Sequence, residues 1–268
     1  MAKNLEDNRL LAALPDAVRE RLRPDLIPVT LEFGRTLYRV GETLRHVYFP
    51  LDAVVSRLYR AADGFTVSVG LIGCEGIVGL ASFLGGYETT AETLVIGAGT
   101  ALRLDRRALE REFERGDAFQ ETMLSFTHAF IAQTGQIAVC NRHHTLAQQL
   151  CFWLLLYFDR VASNELRLTQ ELLGELLGVR REGVTRAALE LKRDGLLDYR
   201  RGRITILDPS GIRALACECY HIVHNAYETL PAAKQPGLGT RDSGLGTRDS
   251  GLGTRDSGLG TRQECTSP

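Results

Sequence analysis

Leu168–Leu197 reads LTQELLGELLGVRREGVTRAALELKRDGLL, and this stretch decides the fold class. Thr169 is a preferred N-cap residue, and Leu172, Leu173, Leu176 and Leu177 follow it on one apolar helix face. Gly178 can take the positive φ at which helices commonly end. A second helix opens at Arg180. Its Val184, Ala187, Ala188 and Leu191 mark an inward face, which leaves Arg181, Glu182, Thr185 and Arg186 on the other side. Two arginines and a glutamate in the first turns of a helix suit DNA recognition, because those turns enter the major groove. Arginine pairs bidentately with guanine, and glutamate accepts from cytosine N4. The alternative for such charges is a solvated helix face; the preceding helix and tight turn argue against it.

Working outward, Asp194-Gly195 ends the helix. Leu196 to Arg200 and Arg203 to Leu207 read as two strands around Arg201-Gly202, a short hairpin with a basic tip. A helix-turn-helix followed by such a hairpin is a winged helix. Its arginines are placed to meet phosphates, which position the protein without reading sequence. Basic edge residues that discourage strand addition are the alternative, which the neighbouring helix pair argues against.

Residues 143–207 resemble the winged helix of the Crp/Fnr transcription regulators. The likeness rests on T-Q-E-x-x-G-x-x-x-G-V-x-R-E-x-V-x-R at Thr169 to Arg186. It implies base reading by Arg181, Glu182 and Arg186 in half-sites similar to TGTGA. Thr169, Gln170, Arg180, Thr185, Arg201 and Arg203 complete the expected DNA contacts. Gly183 departs from the pattern, where many relatives carry a Cβ. Glycine there costs about 1 kcal/mol of helix propensity and is expected to remove a contact to the nucleic acid.

The chain has 268 residues and a net charge of −1, so any nucleic-acid affinity must come from a local patch. Arg180, Arg181, Arg186, Lys192, Arg193, Arg200, Arg201 and Arg203 supply one. No N-terminal apolar segment reads as a signal peptide, and Leu150 to Phe158 is too short to span a bilayer. The six cysteines lack a disulfide-framework spacing, which suits a reducing cytoplasm.

The first third is strand-rich. Phe65, Val67, Val69 and Leu71 alternate with Thr66, Ser68 and Gly70. Val29 to Phe33, His46 to Phe49, Val54 to Tyr59, Thr93 to Ile96 and Thr100 to Leu104 are further expected strands. Glycines punctuate them, as in a small barrel or jelly roll. Leu10 to Leu22 reads as two short helices broken at Pro15. Tyr38 to Pro50 resembles the early part of the Crp/Fnr sensor domain. In that family a glutamate takes the ribose and an arginine the cyclic phosphate. The matching segment, Gly76 to Leu94, keeps Gly79 but has Leu80 at the glutamate position and Thr89 or Thr90 at the arginine position. An anionic phosphate without its cation is poorly held, so cyclic AMP is not expected. Gly79, Leu80, Ala81, Thr89 and Thr90 are the candidate pocket for another ligand. An iron–sulfur cluster is not expected, since no cysteine precedes Cys74. Haem is not expected either, because a lone cysteine is ordinarily a small hydrophobe.

Phe119, Met123, Phe126, Phe130, Gln133 and Ile137 are spaced 4, 3, 4, 3 and 4, a heptad seam expected to close a homodimer. The same spacing on a helix packed within its own domain is the alternative. Cys217, His221 and His224 fall at i, i+4 and i+7, with Cys219 nearby. One helix face rarely supplies three metal ligands, so packing is expected and no metal site. Cys140, His143 and His144 form a second group at the hinge. GLGTRDS recurs from Gly237 to Ser257; each unit has two glycines and one leucine and cannot bury a core, so disorder is expected.

The expected fold is therefore α+β. It comprises a cupin-like β-roll sensor over residues 1–116, a dimerisation helix over 117–141 and a winged helix-turn-helix over 142–229. A disordered tail over 230–268 follows. The expected function is a cytoplasmic, dimeric, non-enzymatic transcription regulator. It binds an inverted repeat in double-stranded DNA through residues 180–193 and contacts RNA polymerase, gated by a signal that the motifs leave unspecified. The alternatives are a cyclic-nucleotide-dependent regulator and a ligand-binding subunit whose winged helix serves protein contacts. No nucleophile motif, phosphate loop or metalloprotease spacing supports an enzyme.

Overall fold

The computed structural model describes residues 4–161, 163–200 and 202–230. Two short helices lead in: α1 (Arg9–Ala13), capped by Asn8, and α2 (Asp16–Leu22), which starts after Pro15. The buried Asn8 amide donates to the Pro50 and Gly76 carbonyls, both at 2.9 Å, and so ties this lead to the roll.

Seven antiparallel strands build the roll: β1 (Ile27–Leu31), β2 (Thr36–Tyr38), β3 (His46–Pro50), β4 (Val54–Arg60), β5 (Thr66–Ile72), β6 (Glu92–Gly97) and β7 (Gly99–Asp105). One sheet has the order β1-β7-β3, the other β2-β6-β4-β5. The expected strands are all present, with ends shifted by one or two residues. β2 is an addition, too short at three residues to carry a pattern. On β5 the alternation is present with its polar set inward: Thr66 and Ser68 are buried, and Phe65 is half exposed. Ser68 Oγ meets Ser56 Oγ at 2.8 Å across the β4–β5 pair, so the inward hydroxyls satisfy each other.

Helices α3 (Arg106–Phe113), α4 (Ala118–His143) and α5 (Leu146–Phe158) follow. β8 (Glu165–Arg167), α6 (Gln170–Leu177), α7 (Arg181–Arg193), β9 (Leu197–Arg200) and β10 (Arg203–Ile206) form the winged helix, with sheet order β8-β10-β9. α8 (Pro209–Leu215) and α9 (Glu218–Glu228) complete the described chain. α5 buries every residue from Gln149 to Tyr157, as its apolar run requires. Among the described residues no helix is long and apolar enough to cross a membrane.

The seam of α4 differs from expectation. Phe119, Met123, Phe126, Phe130, Gln133 and Ile137 are all buried within the single chain, against the roll and α9. They are not available to a second subunit. Gly70 and Gly76 make room for the rings: a Cβ on Gly70 would come within 2.6 Å of Phe130, and one on Gly76 within 2.5 Å of Phe126. Gln133 pairs with the β5 backbone like an added strand residue. Its Oε1 accepts from Leu71 N at 3.2 Å, and its Nε2 donates to Leu71 O at 3.1 Å and to Tyr227 Oη at 2.8 Å. Heptad spacing defines a stripe, and here the roll and α9 cover it. The outward face of α4 carries Leu124, His128, Ile131, Gly135 and Val139, all exposed.

The expected tail repeat lies outside the described residues.

Candidate nucleic-acid interface

Three local features set the angle between α6 and α7. Thr169 Oγ1 accepts from Leu172 N at 3.1 Å and starts α6. Gly178, at φ +64°, turns the chain out of α6 and donates to Glu175 O. Gly174 lets the turn close, since a Cβ there would come within 2.8 Å of Val179 O. Val184, Ala187, Ala188 and Leu191 are buried as expected, and Arg180, Arg181, Glu182 and Arg186 are exposed.

The charges of the winged helix divide into two groups. Among the described residues, Arg180, Arg181, Glu182 and Arg186 make no ion pair. The other described basic residues of the patch, Lys192, Arg193, Arg200 and Arg203, are engaged internally. Lys192 Nζ lies 2.7 Å from Asp198, Arg200 Nε 2.9 Å from the same carboxylate, Arg193 Nε 3.2 Å from Asp194 and Arg203 3.1 Å from Glu165. The hydrogen bond from Lys192 holds the half-buried Asp198 carboxyl below its usual range. Arg203, expected on phosphate, thus stands beside a carboxylate on β8. Arg201 lies outside the described residues.

Thr185 and Gln170 are joined to each other, with Thr185 Oγ1 2.9 Å from Gln170 Oε1 and 3.0 Å from Arg181 O. Gly183 corrects its expected role. It faces α5, and an added Cβ would come within 3.0 Å of Leu146 Cδ2, so its small size serves helix packing. Two open depressions flank the unpaired charges. One is lined by Glu182, Thr185, Arg186, Leu189 and Arg193. The other is lined by Thr169, Gln170, Arg181, Tyr199 and Gly202. Tyr199, whose hydroxyl donates to Leu168 O at 3.1 Å, is an addition to the expected set. Its strand position gave no cue that it would reach the helix pair.

In the roll, the five pocket candidates are engaged elsewhere. Gly79, at φ +109°, packs where a Cβ would come within 2.9 Å of Val47, and Leu80 is buried. Thr89 Oγ1 donates to Ala91 O at 2.8 Å, while Thr90 Oγ1 meets Tyr59 Oη at 2.9 Å on the surface. Ala81 is half-buried beside Gly86.

His221 and His224 do not join Cys217 on one helix face. Cys217 is the N-cap of α9, His221 is exposed, and His224 Nδ1 lies 3.4 Å from Asp159.

Residues 148–215 match the Crp-like helix-turn-helix domain. The chain is 25% identical over 224 residues to the global nitrogen regulator of Synechocystis sp., a match covering 78% of this chain and 96% of that protein. It is also 25% identical over 214 residues to the global nitrogen regulator of Nostoc sp., covering 74% and 93% of the two chains. Among solved structures, FixK2 from Bradyrhizobium japonicum shares the fold, with a TM-score of 0.60 and 17% identity over 72% of this chain and 98% of that one.

Proposed function

We propose that this member of the Crp/Fnr family of DNA-binding transcription regulators works as a homodimer that reads an inverted repeat with α7. The unpaired state of Arg180, Arg181, Glu182 and Arg186 carries this reading. Charges left without internal partners at the N-terminal turns of a presented helix are free to meet base edges. Arg181, Glu182 and Arg186 are assigned to bases. Arg180 and the Thr169 end of α6 are assigned to backbone phosphate, and Gln170 and Thr185 to holding α6 against α7. Arg203 reaches phosphate only in competition with Glu165.

The dimer forms through the outward face of α4, where Leu124, His128, Ile131, Gly135 and Val139 repeat every three or four residues. A Cβ on Gly135 would meet nothing within 4 Å. An exposed mid-helix glycine costs about 1 kcal/mol, and close approach of a second helix gives it a use. Half-sites then lie about one DNA turn, roughly 34 Å, apart. Contact with RNA polymerase belongs to the same reading. The roll acts without cyclic nucleotide, because Leu80 is buried and the hydroxyls of Thr89 and Thr90 are engaged.

The test is binding by the full chain to a panel of single-base variants of its selected site, at two salt concentrations, with and without cyclic AMP. Arg186→Ala should cost about 1–3 kcal/mol per half-site and relax preference at one G·C pair. Arg203→Ala should weaken all sequences alike, and cyclic AMP should change nothing. Uniform weakening by Arg186→Ala would remove the base-reading assignment.

A further inference from the structure

Two segments 77 residues apart bring four metal-ligating side chains to one point. Cys140 lies in the last turn of α4, and His144 is the C-cap residue of that helix. Cys217 is the N-cap of α9, and Cys219 lies in its first turn. Each offers one ligand atom, and the four atoms all lie within 4.8 Å of one another. Cys140 Sγ and Cys217 Sγ are 3.5 Å apart, and Cys219 Sγ is 3.6 Å from His144 Nδ1. We propose that this Cys3His cluster binds one zinc-class divalent ion, which clamps α9 to the C-terminal end of α4.

The distances carry the proposal. Zinc bonds of about 2.3 Å to sulfur and about 2.0–2.1 Å to nitrogen give a tetrahedron with edges of roughly 3.5–3.8 Å. The two edges above match it before any ion is placed. Packing of thiols as small hydrophobes accounts for three buried sulfurs. It does not account for an imidazole nitrogen directed at one of them. A disulfide would use two of the sulfurs and leave the third and the imidazole without a role.

The surroundings fit the same ion. His144 Nε2 lies 3.3 Å from the Glu218 carboxylate. A metal-bound histidine commonly donates its other N–H to such a carboxylate, which fixes the ring and raises its basicity. Burial pushes the Cys219 thiol up to about 12, with the Cys217 sulfur adding to the shift. Zinc binds sulfur as thiolate, so loading releases thiol protons to solvent, and three thiolates with a neutral imidazole give the complex a charge of −1. The far end of the same helix pair is joined by Gln133 and Tyr227. The ion closes the near end, where α4 passes into α5 and the winged helix.

The experiment uses the reduced full chain. Metal content should be one zinc per chain after expression. Titration of the stripped protein with cobalt(II) should produce the visible absorption of a tetrahedral thiolate complex, saturating at one equivalent. Cys219→Ser and His144→Ala should each weaken cobalt binding at least tenfold. Cys151→Ala and His143→Ala, a buried thiol and an exposed imidazole outside the cluster, should leave it unchanged. If the cluster variants fail to fold, the spectrum and stoichiometry of the unmodified chain decide. No tetrahedral cobalt band would overturn the proposal, as would full binding by Cys219→Ser. In chain isolated without reductant, a metal-free species two mass units lighter, with Cys140 and Cys217 joined, would replace the ion with a disulfide.

Discussion

Along α4, Phe119, Met123, Phe126, Phe130, Gln133 and Ile137 descend one face, and Leu124, His128, Ile131, Gly135 and Val139 descend the other. Both sets step by three or four residues. Phe126 is 0% exposed and Ile131 is 65% exposed. The first set is apolar throughout, broken by one glutamine whose amide is fully paired. The second mixes apolar residues with histidine and glycine. Equal spacing with unequal exposure teaches that periodicity locates a stripe and says nothing about which chain covers it. The aromatic stripe belongs to the protein's own core, and the leaner stripe is open to solvent.

The two faces should respond differently to substitution. Phe126→Ala would empty a ring-sized space between α4, Gly76 and Tyr227 and should destabilise the protein by about 3–5 kcal/mol, read from denaturant unfolding. A loss under 1 kcal/mol would mean that the inward face is not core. Leu124→Glu with Ile131→Glu should leave far-UV circular dichroism intact and raise the dimer dissociation constant by more than a hundredfold, about 2.7 kcal/mol. Light scattering checks this; an unchanged dimer mass would move the interface elsewhere. Gly135→Ala sharpens the contrast with the smallest effect. In an isolated helix it should add about 1 kcal/mol of stability. In a closely packed dimer it should weaken association instead, and sedimentation as a function of concentration distinguishes the two signs.

Features set by neighbouring residues were legible before the structure. Thr169 and Gly178 bound α6 through interactions spanning three or four residues, and the four inward residues of α7 follow from helical period alone. Features set by distant residues were not. β8 has three residues and exists because β10 pairs with it. Arg203 meets Glu165 across 38 residues, which changes what a basic wing means. Cys140 and Cys217 meet across 77 residues, and each taken with its sequence neighbours formed an incomplete ligand set. Gly183 was legible as an exception, but its reason lay in Leu146 on another helix.

Phe65, just before β5, and Val67 on it have one more consequence. Phe65 and Val67 rest against the turn after α6, with atoms of each only 3.0 Å from where a side chain on Gly178 would begin. Phe65 keeps half its surface in water, so parting this contact uncovers little area and costs about 1–2 kcal/mol. That is the size of a typical coupling free energy between two sites, about 1–3 kcal/mol. The roll and the helix pair thus meet here in a small contact that is half open to solvent.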